Sequence, residues 1–191
     1  MPCKLEYRFC SVFDDTAGKI TSTWKDKGGY EGFNAHVRHV AEKFPHIEVN
    51  PEIWLKTRPL TSASAHLFMK AVQLWAQEAG SAGIFDQVMR GFRSAFFREG
   101  RDISHWDIQC EIAESLGADV GAVEGLIHSG KAFALLAADY QDAVKMRLEG
   151  SPTLVLNGGR QKLYGNVGYR VMEANIQELL RAPRTSEASW C

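Results

Sequence analysis

The sequence predicts an α/β fold in which a block of helices interrupts a smaller mixed frame. At the N-terminal end, residues 4–13 and 46–55 are strand candidates on either side of a helix over residues 32–44. At the C-terminal end, strand, turn, strand and helix follow one another between residues 153 and 180. Between them, residues 61–145 show only the helical spacing of apolar side chains, which predicts an all-helical insertion.

The N-terminal part of the frame is predicted as a β-α-β unit. Its first strand is rich in aromatic residues, its helix carries apolar side chains such as Val37 and Phe44, and its second strand is interrupted by Pro51. A right-handed crossover would set the two strands parallel. Residues 14–30 form a long connection, and long connections are often functional. We expect either a lid over a site or a plain surface loop there.

The helical insertion begins after Thr61 and Ser62, which are suited to capping a helix. Further helices are predicted over residues 84–97 and 104–116 (with Ser104 as the N-cap), and residues 120–129 and 132–148 supply one or two more. The chain then divides into a discontinuous frame domain over residues 1–60 and 146–182, a helical insertion over 61–145 and a flexible tail over 183–191.

Composition is that of an ordinary globular protein and excludes several classes of function. The chain has 191 residues, of which 45% are hydrophobic and 24% charged, and its formal net charge is −1. This balance gives no electrostatic footprint for nucleic acid or an anionic membrane. No apolar run approaches the ~20 residues that span a bilayer, and the N-terminus lacks the apolar core of a signal peptide. We therefore expect a cytoplasmic protein.

The most informative motif is the step Gly150–Ser151–Pro152–Thr153, which opens a strand over residues 153–156. Proline is tolerated at the first residue of a strand because no ladder hydrogen bond is lost there. The alternatives are an ordinary edge strand that begins with proline, or a cis Ser151–Pro152 bond that turns the backbone of Ser151 and Thr153 toward a ligand. We expect the cis bond.

The order of elements resembles the DsbA-like thioredoxin family, in which a helical domain is inserted into a thioredoxin-like fold. The resemblance covers roughly residues 4–180 and is carried by the insertion, the Gly150–Thr153 step and the run Leu163–Tyr164–Gly165–Asn166. The family includes disulfide oxidoreductases, 2-hydroxychromene-2-carboxylate isomerases and kappa-class glutathione transferases. The resemblance thus implies a small thiol or a peptide-like molecule as the substrate, and leaves a homodimer open.

The chain lacks the Cys-x-x-Cys motif of the redox members of this family. Its four cysteines are at positions 3, 10, 110 and 191, and Asp14 and Asp15 follow the expected junction, where they would oppose a thiolate. A dithiol mechanism is therefore not expected. Cys10 is either a single reactive thiol or a small apolar residue of the first strand, which is the commoner role of a cysteine without a partner.

In the isomerase and transferase branch a serine hydroxyl donates to the glutathione thiolate. The resemblance implies that role for Ser11 or Thr16, and the sequence does not choose between them. Ser151, Pro152 and Thr153 would present backbone to the peptide portion of glutathione. Its carboxylates would meet Lys56 or Arg58 at the end of the second strand, and Asn166 before the last helix.

Each of these residues also has an ordinary structural interpretation. Lys56 and Arg58 fit a solvated strand end, and Asn166 fits a helix N-cap. His66, at the start of the insertion, is either a base or hydrogen-bond partner facing the site, or a histidine on a helix surface. His36 and His39 lie three residues apart on the first helix, but their spacing is not a metal-binding signature, and we expect no metal.

Three classes of function follow. The leading one is an enzyme, a glutathione- or thiol-dependent oxidoreductase, isomerase or transferase that uses a hydroxyl. The second is an oxidoreductase that acts through Cys10 alone. The alternative to both is a non-catalytic thioredoxin-like module that binds peptides or proteins.

Overall fold

The computed structural model describes residues 5–81 and 83–181, which divide into two compact units. Among the described residues, one unit comprises residues 13–138, and the other comprises residues 5–12 together with 139–181. In chain order the helices are α1 (Thr16–Thr23), α2 (Gly29–Ala41), α3 (Ala63–Glu78), α4 (Ile84–Arg93), α5 (Trp106–Ser115), α6 (Val120–His128), α7 (Lys131–Lys145) and α8 (Tyr169–Arg181). The strands β1 (Thr153–Leu156) and β2 (Gln161–Tyr164) lie between α7 and α8. The predicted domain boundaries stay a prediction.

The segment predicted as a long loop or lid is largely helical, so that prediction was wrong. Asp15 begins α1 as its N-cap, since its carboxylate accepts a hydrogen bond of 2.9 Å from the amide of Gly18. A short 3₁₀ turn, Lys25–Lys27, leads to Gly28, whose φ of 88° suits glycine and allows α2 to begin at the next residue. Residues 14–30 therefore form part of a packed helical pair.

An aromatic core holds this helical pair to the segment that follows it. Ile20 of α1 and Phe33 of α2 are buried with Ile53, Trp54 and Phe96. The ring centroid of Trp54 lies 5.2 Å from that of Phe33 and 5.1 Å from that of Phe96, both with edge-to-face geometry.

The two N-terminal strands that we predicted do not form among the described residues. Residues 50–55 make tight turns instead, because the amides of Ile53 and Leu55 donate to the carbonyls of Asn50 and Glu52. An isolated bridge between Ile53 and Thr57 is the only β-pairing among the described residues of this segment. Pro51 and the side chain of Asn50, which accepts a bond from the Glu52 amide, favour this turn over a strand.

The helices predicted between residues 61 and 148 form, with small shifts at their ends. Thr61 accepts a hydrogen bond from the amide of Ala63 at the start of α3, and α5 begins at Trp106, two residues after the predicted cap Ser104. Helix α3 packs against α4 and α6, with the rings of Phe68 and Phe92 5.7 Å apart. A π-helical turn, Ser94–Arg98, follows α4 directly, and in it the amide of Glu99 donates to the carbonyl of Ser94.

The other unit contains the hairpin and α8. Strands β1 and β2 pair antiparallel, with Thr153 opposite Tyr164 and Leu156 opposite Gln161. Residues 5–12 have no regular secondary structure, and side chains of α7 hold them instead. Arg8 pairs with Asp142 at 2.6 Å, and Asp139 accepts a bond of 3.2 Å from the amide of Phe9.

Candidate functional site

The peptide bond between Ser151 and Pro152 is cis, as the sequence predicts. Ser151 and Pro152 are both exposed. The amide of Gly165 donates to the Pro152 carbonyl at 2.9 Å, and the hydroxyl of Thr153 donates to the Gly150 carbonyl at 2.6 Å. Two hydrogen bonds from later residues thus hold the backbone of Gly150 and Pro152 in place, while Ser151 and Pro152 are exposed to solvent.

A cavity of about 220 Å³ lies beside this step. Pro152 and Asn166, two of the residues predicted to bind a ligand, both line it. Its remaining wall includes Leu154, Leu163, Val167 and Met172. Asn166 is the polar side chain at this cavity. Gly168 rather than Asn166 immediately precedes α8, and its carbonyl accepts from the amides of Val171 and Met172.

Sequence reasoning missed the apolar wall of this cavity. Leu154 and Leu163 are register partners on the hairpin, so their side chains lie on one face of the sheet. Met172 is in the first turn of α8. The sequence did contain a signal for this wall. Once residues 157–160 are recognised as a hairpin turn, counting outward from the turn pairs Leu154 with Leu163.

Cys10 and Ser11 lie in the same unit as the cavity. Cys10 is half-buried and Ser11 is exposed. The amide of Val12 donates to the Cys10 carbonyl at 3.0 Å, so the chain turns sharply at Ser11 rather than continuing as a strand. The hydroxyl of Ser11 is therefore accessible to solvent.

Thr16, the other candidate hydroxyl, lies in the unit of residues 13–138 and is only 1% exposed. Its side chain donates to the carbonyl of Phe13 at 3.4 Å, and its amide donates to the carbonyl of Leu60 at 3.0 Å. The hydroxyl is thus buried against its own chain at the start of α1.

Lys56 and Arg58 also lie in the unit of residues 13–138, and both already have partners. Lys56 pairs with Glu52 at 2.6 Å. Arg58 donates to the carbonyl of Trp54 at 3.3 Å, and its guanidinium lies 4.2 Å from the ring centroid of Tyr30. Both side chains therefore make contacts within their own unit.

His66 lies in the first turn of α3, and burial lowers its pKa to about 4. Its imidazole is therefore neutral at physiological pH and carries no charge to offer a carboxylate.

Cys110, in α5, has a raised pKa because of burial and the nearby carboxylates of Glu114, Glu124 and Asp107, so its thiol is poorly reactive. Across residues 5–81 and 83–181, no three His, Cys, Asp or Glu side chains converge as metal ligands would.

Comparison with known proteins identifies the family. A family model described as DSBA-like thioredoxin domain matches residues 19–177. The chain belongs to this family. The predicted family is thus confirmed, as is the predicted fold class, an α/β thioredoxin-like fold with inserted helices.

One relative of this DSBA-like protein is the ClpXP adapter protein SpxH of Bacillus subtilis (strain 168). The two are 28% identical over 143 residues, which is 71% of this chain and 46% of SpxH. The chain thus spans about half the length of the curated relative it matches.

The described helices give only weak evidence of a membrane span. None of them is by itself long and apolar enough to cross a bilayer. Helices α6 and α7 satisfy the length and composition criteria only when taken together, and a bend of 69° separates them.

Proposed function

We propose that this chain is a non-catalytic thioredoxin-like module that binds a segment of another protein at the cavity beside Pro152. The observation that carries this proposal is the cavity itself, which combines an apolar wall with two exposed residues, Ser151 and Pro152. A pocket of this size accommodates one side chain, and neighbouring backbone can hydrogen-bond to an extended segment.

Three further observations favour binding over catalysis. The sequence contains no Cys-x-x-Cys pair. One of the two hydroxyls proposed to meet a thiolate, that of Thr16, is buried and donates to the Phe13 carbonyl. Finally, the relative SpxH is named as an adapter protein, and an adapter works by binding other proteins.

Peptide display tests the proposal directly. A library of random peptides is panned against the protein, and enriched peptides are then titrated by fluorescence anisotropy. Asn166→Trp places a large side chain at the exposed edge of the cavity, whereas Gln177→Trp places the same side chain on an exposed position of α8 that does not line it. We expect Asn166→Trp to weaken binding at least about tenfold, the loss of one buried apolar side chain. Equal binding to both variants, or no enrichment, would refute the proposal.

A second candidate function is thiol chemistry at Cys10 and Ser11, with glutathione as the cofactor or substrate. The observation that favours it is the exposed Ser11 next to the half-buried Cys10, in the unit that also holds Pro152. Calorimetry with glutathione, repeated on Ser11→Ala, tests it. Heat of binding that disappears in Ser11→Ala would support a glutathione site at Ser11, and absence of heat in the unmodified protein would count against one.

Dithiol-based reduction of insulin is not expected under either function. The two-thiol cycle requires a resolving cysteine close to the attacking one, and no pair of the four cysteines has that spacing. Turnover of insulin that survives Cys10→Ser would contradict this expectation. The cytoplasmic location expected from the sequence stays a prediction.

A further inference from the structure

We infer that a second cavity, between α4 with its π-helical turn and α5, binds a free α-amino acid that has an apolar side chain. The cavity has a volume of about 270 Å³ and lies in the unit of residues 13–138. The inference goes beyond the proposed function, because it concerns a different site from the Pro152 cavity and a small molecule instead of a protein segment.

One part of the lining of this cavity is apolar and is formed where two helices approach closely. A Cβ on Gly91 would lie 2.8 Å from the side chain of Ile112 and 3.1 Å from that of Leu116, so only glycine allows this approach of α4 to α5. Ala95 and Ile112 are buried beside it. An apolar ligand side chain that contacts these residues gains free energy, because its surface leaves water.

The π-helical turn supplies another part of the lining. Ser94, Ala95 and Arg98 belong to this turn and line the cavity. The amide of Arg101 donates to the Ala95 carbonyl at 2.8 Å, which ends the turn, and Arg101 lines the cavity as well. Single π-helical turns occur frequently at functional sites, so the position of this one supports a binding role for the cavity.

The charged residues of the lining form two ion pairs of opposite charge. Arg101 lies 2.5 Å from the carboxylate of Glu111, and Arg98 lies 3.1 Å from that of Glu99. The four side chains are between 30% and 67% exposed. Ion pairs that solvent reaches contribute little to stability, so both pairs can exchange partners at little cost.

This balance of charge selects the charge state of the ligand. An amino acid offers its carboxylate to an arginine and its ammonium to a glutamate, so every charge of an opened pair keeps a partner. A simple anion would leave the glutamate of that pair without its arginine, and a simple cation would leave the arginine without its glutamate. Two neighbouring charges of opposite sign beside an apolar group are the chemistry of a free apolar α-amino acid such as leucine.

Titration of the ¹⁵N-labelled protein with four compounds, followed by amide chemical shifts, tests the inference. The compounds are L-leucine, N-acetyl-L-leucine without the ammonium, L-leucinamide without the carboxylate, and glycine without the side chain. We expect leucine to bind with a Kd of about 1 mM or tighter and to shift amides in residues 91–101 and 111–116. Each of the other compounds should bind at least about tenfold more weakly, because each loses one of the three contacts.

Variants assign each charge of the ligand to its partner. Arg101→Gln should lose most of the preference for leucine over leucinamide, and Glu111→Gln should lose most of the preference for leucine over N-acetyl-leucine. The controls Arg93→Gln and Glu114→Gln remove the same charges from exposed positions of α4 and α5 outside the cavity lining, and they should keep both preferences.

Several outcomes would overturn the inference. Shifts that do not saturate up to about 20 mM leucine, or shifts confined to residues 152–172, would show that no amino acid binds at this cavity. N-acetyl-leucine or leucinamide binding as tightly as leucine would refute the pairing of both charges, and glycine doing so would refute the apolar contact. Preferences that survive both Arg101→Gln and Glu111→Gln would refute the assignment of the ion pair. None of these results bears on peptide binding at the Pro152 cavity, which peptide display tests separately.

Discussion

Replacing Asn34 by alanine should destabilise the aromatic core of the unit formed by residues 13–138. Asn34 is buried in α2, and its amide donates to the carbonyl of Pro51 at 2.9 Å and to that of Ile53 at 2.7 Å. The second carbonyl immediately precedes Trp54, whose φ of 65° places a bulky residue in the left-handed region. One side chain therefore fixes the backbone on which the central ring of the core depends.

The magnitude follows from these two hydrogen bonds. Each contributes about 1 kcal/mol net, and the Ile53 carbonyl, buried and left without its donor, adds about 1–2 kcal/mol, so Asn34→Ala should cost about 3–4 kcal/mol of unfolding free energy. With a urea slope of about 2 kcal/mol/M, the midpoint should fall by about 1.5–2 M.

Urea titration followed by tryptophan fluorescence and circular dichroism measures this shift. Asn175→Ala is the matched control, because Asn175 also donates to a backbone carbonyl, that of Val171 at 2.8 Å, but in an exposed helix. The control should change the free energy of unfolding by less than about 0.5 kcal/mol. If Asn34→Ala shifts the midpoint no more than the control does, the anchoring role assigned to Asn34 is wrong.

A second substitution at the same position tests the direction of the hydrogen bonds. Asn34→Asp would place a carboxylate against two carbonyl oxygens, so the folded state should raise the pKa of the introduced acid above its unfolded value. The folded state then binds more protons, and the variant should gain stability relative to the unmodified protein as pH falls from 7 toward 4. A variant whose deficit is independent of pH would contradict this assignment.

Five other substitutions, at four positions, have expected outcomes that unfolding titrations can check. Gly91→Ala should cost about 1–3 kcal/mol, because its Cβ would lie 2.8 Å from the Ile112 side chain, whereas Gly125→Ala, with open space around it, should stabilise α6 by about 0.5–1 kcal/mol. Asp15→Ala should cost about 1 kcal/mol as the loss of an N-cap, while Asp15→Asn should be nearly neutral; equal costs would exclude capping. Because the folded state lowers the pKa of His66 to about 4, stability should decline as pH falls from 6.5 toward 4, and His66→Gln should flatten that decline.

The parts of the fold that were predicted correctly depend on local sequence. Helix α3 has regularly spaced apolar residues, and the β1–β2 hairpin has a strong turn signal at Asn157–Gly159, so neighbouring residues alone specify them. The predicted strand over residues 46–55 failed because a strand needs a distant partner, while Asn50 and Pro51 supply a turn from within the segment. The strand over residues 4–13 does not form among its described residues, where side chains of α7 hold the chain instead.

Some of what was missed left a signal and some left none. Thr16, Ile20 and Trp24 recur every four residues after the capping Asp15, which is a helical pattern inside the supposed loop. The two hydrogen bonds that Asn34 donates have no local sequence signature, because they form only when residues 51–53 pack against α2. At the candidate site, Pro152 and Asn166 were both predicted, and the hairpin between them explains why they line one cavity.

The π-helical turn Ser94–Arg98 has a consequence for how this chain tolerates changes of length. The hydrogen bond from Glu99 to Ser94 spans five residues, one more than in an α-helix, so this turn accommodates a surplus residue while α4 before it stays regular. Deleting one residue within the turn would close an ordinary α-helical turn. The same deletion in the middle of α3 would rotate all later side chains by about 100° around the helix axis. We therefore expect natural one-residue deletions in this part of the chain to occur at this turn more often than within the helices of the insertion.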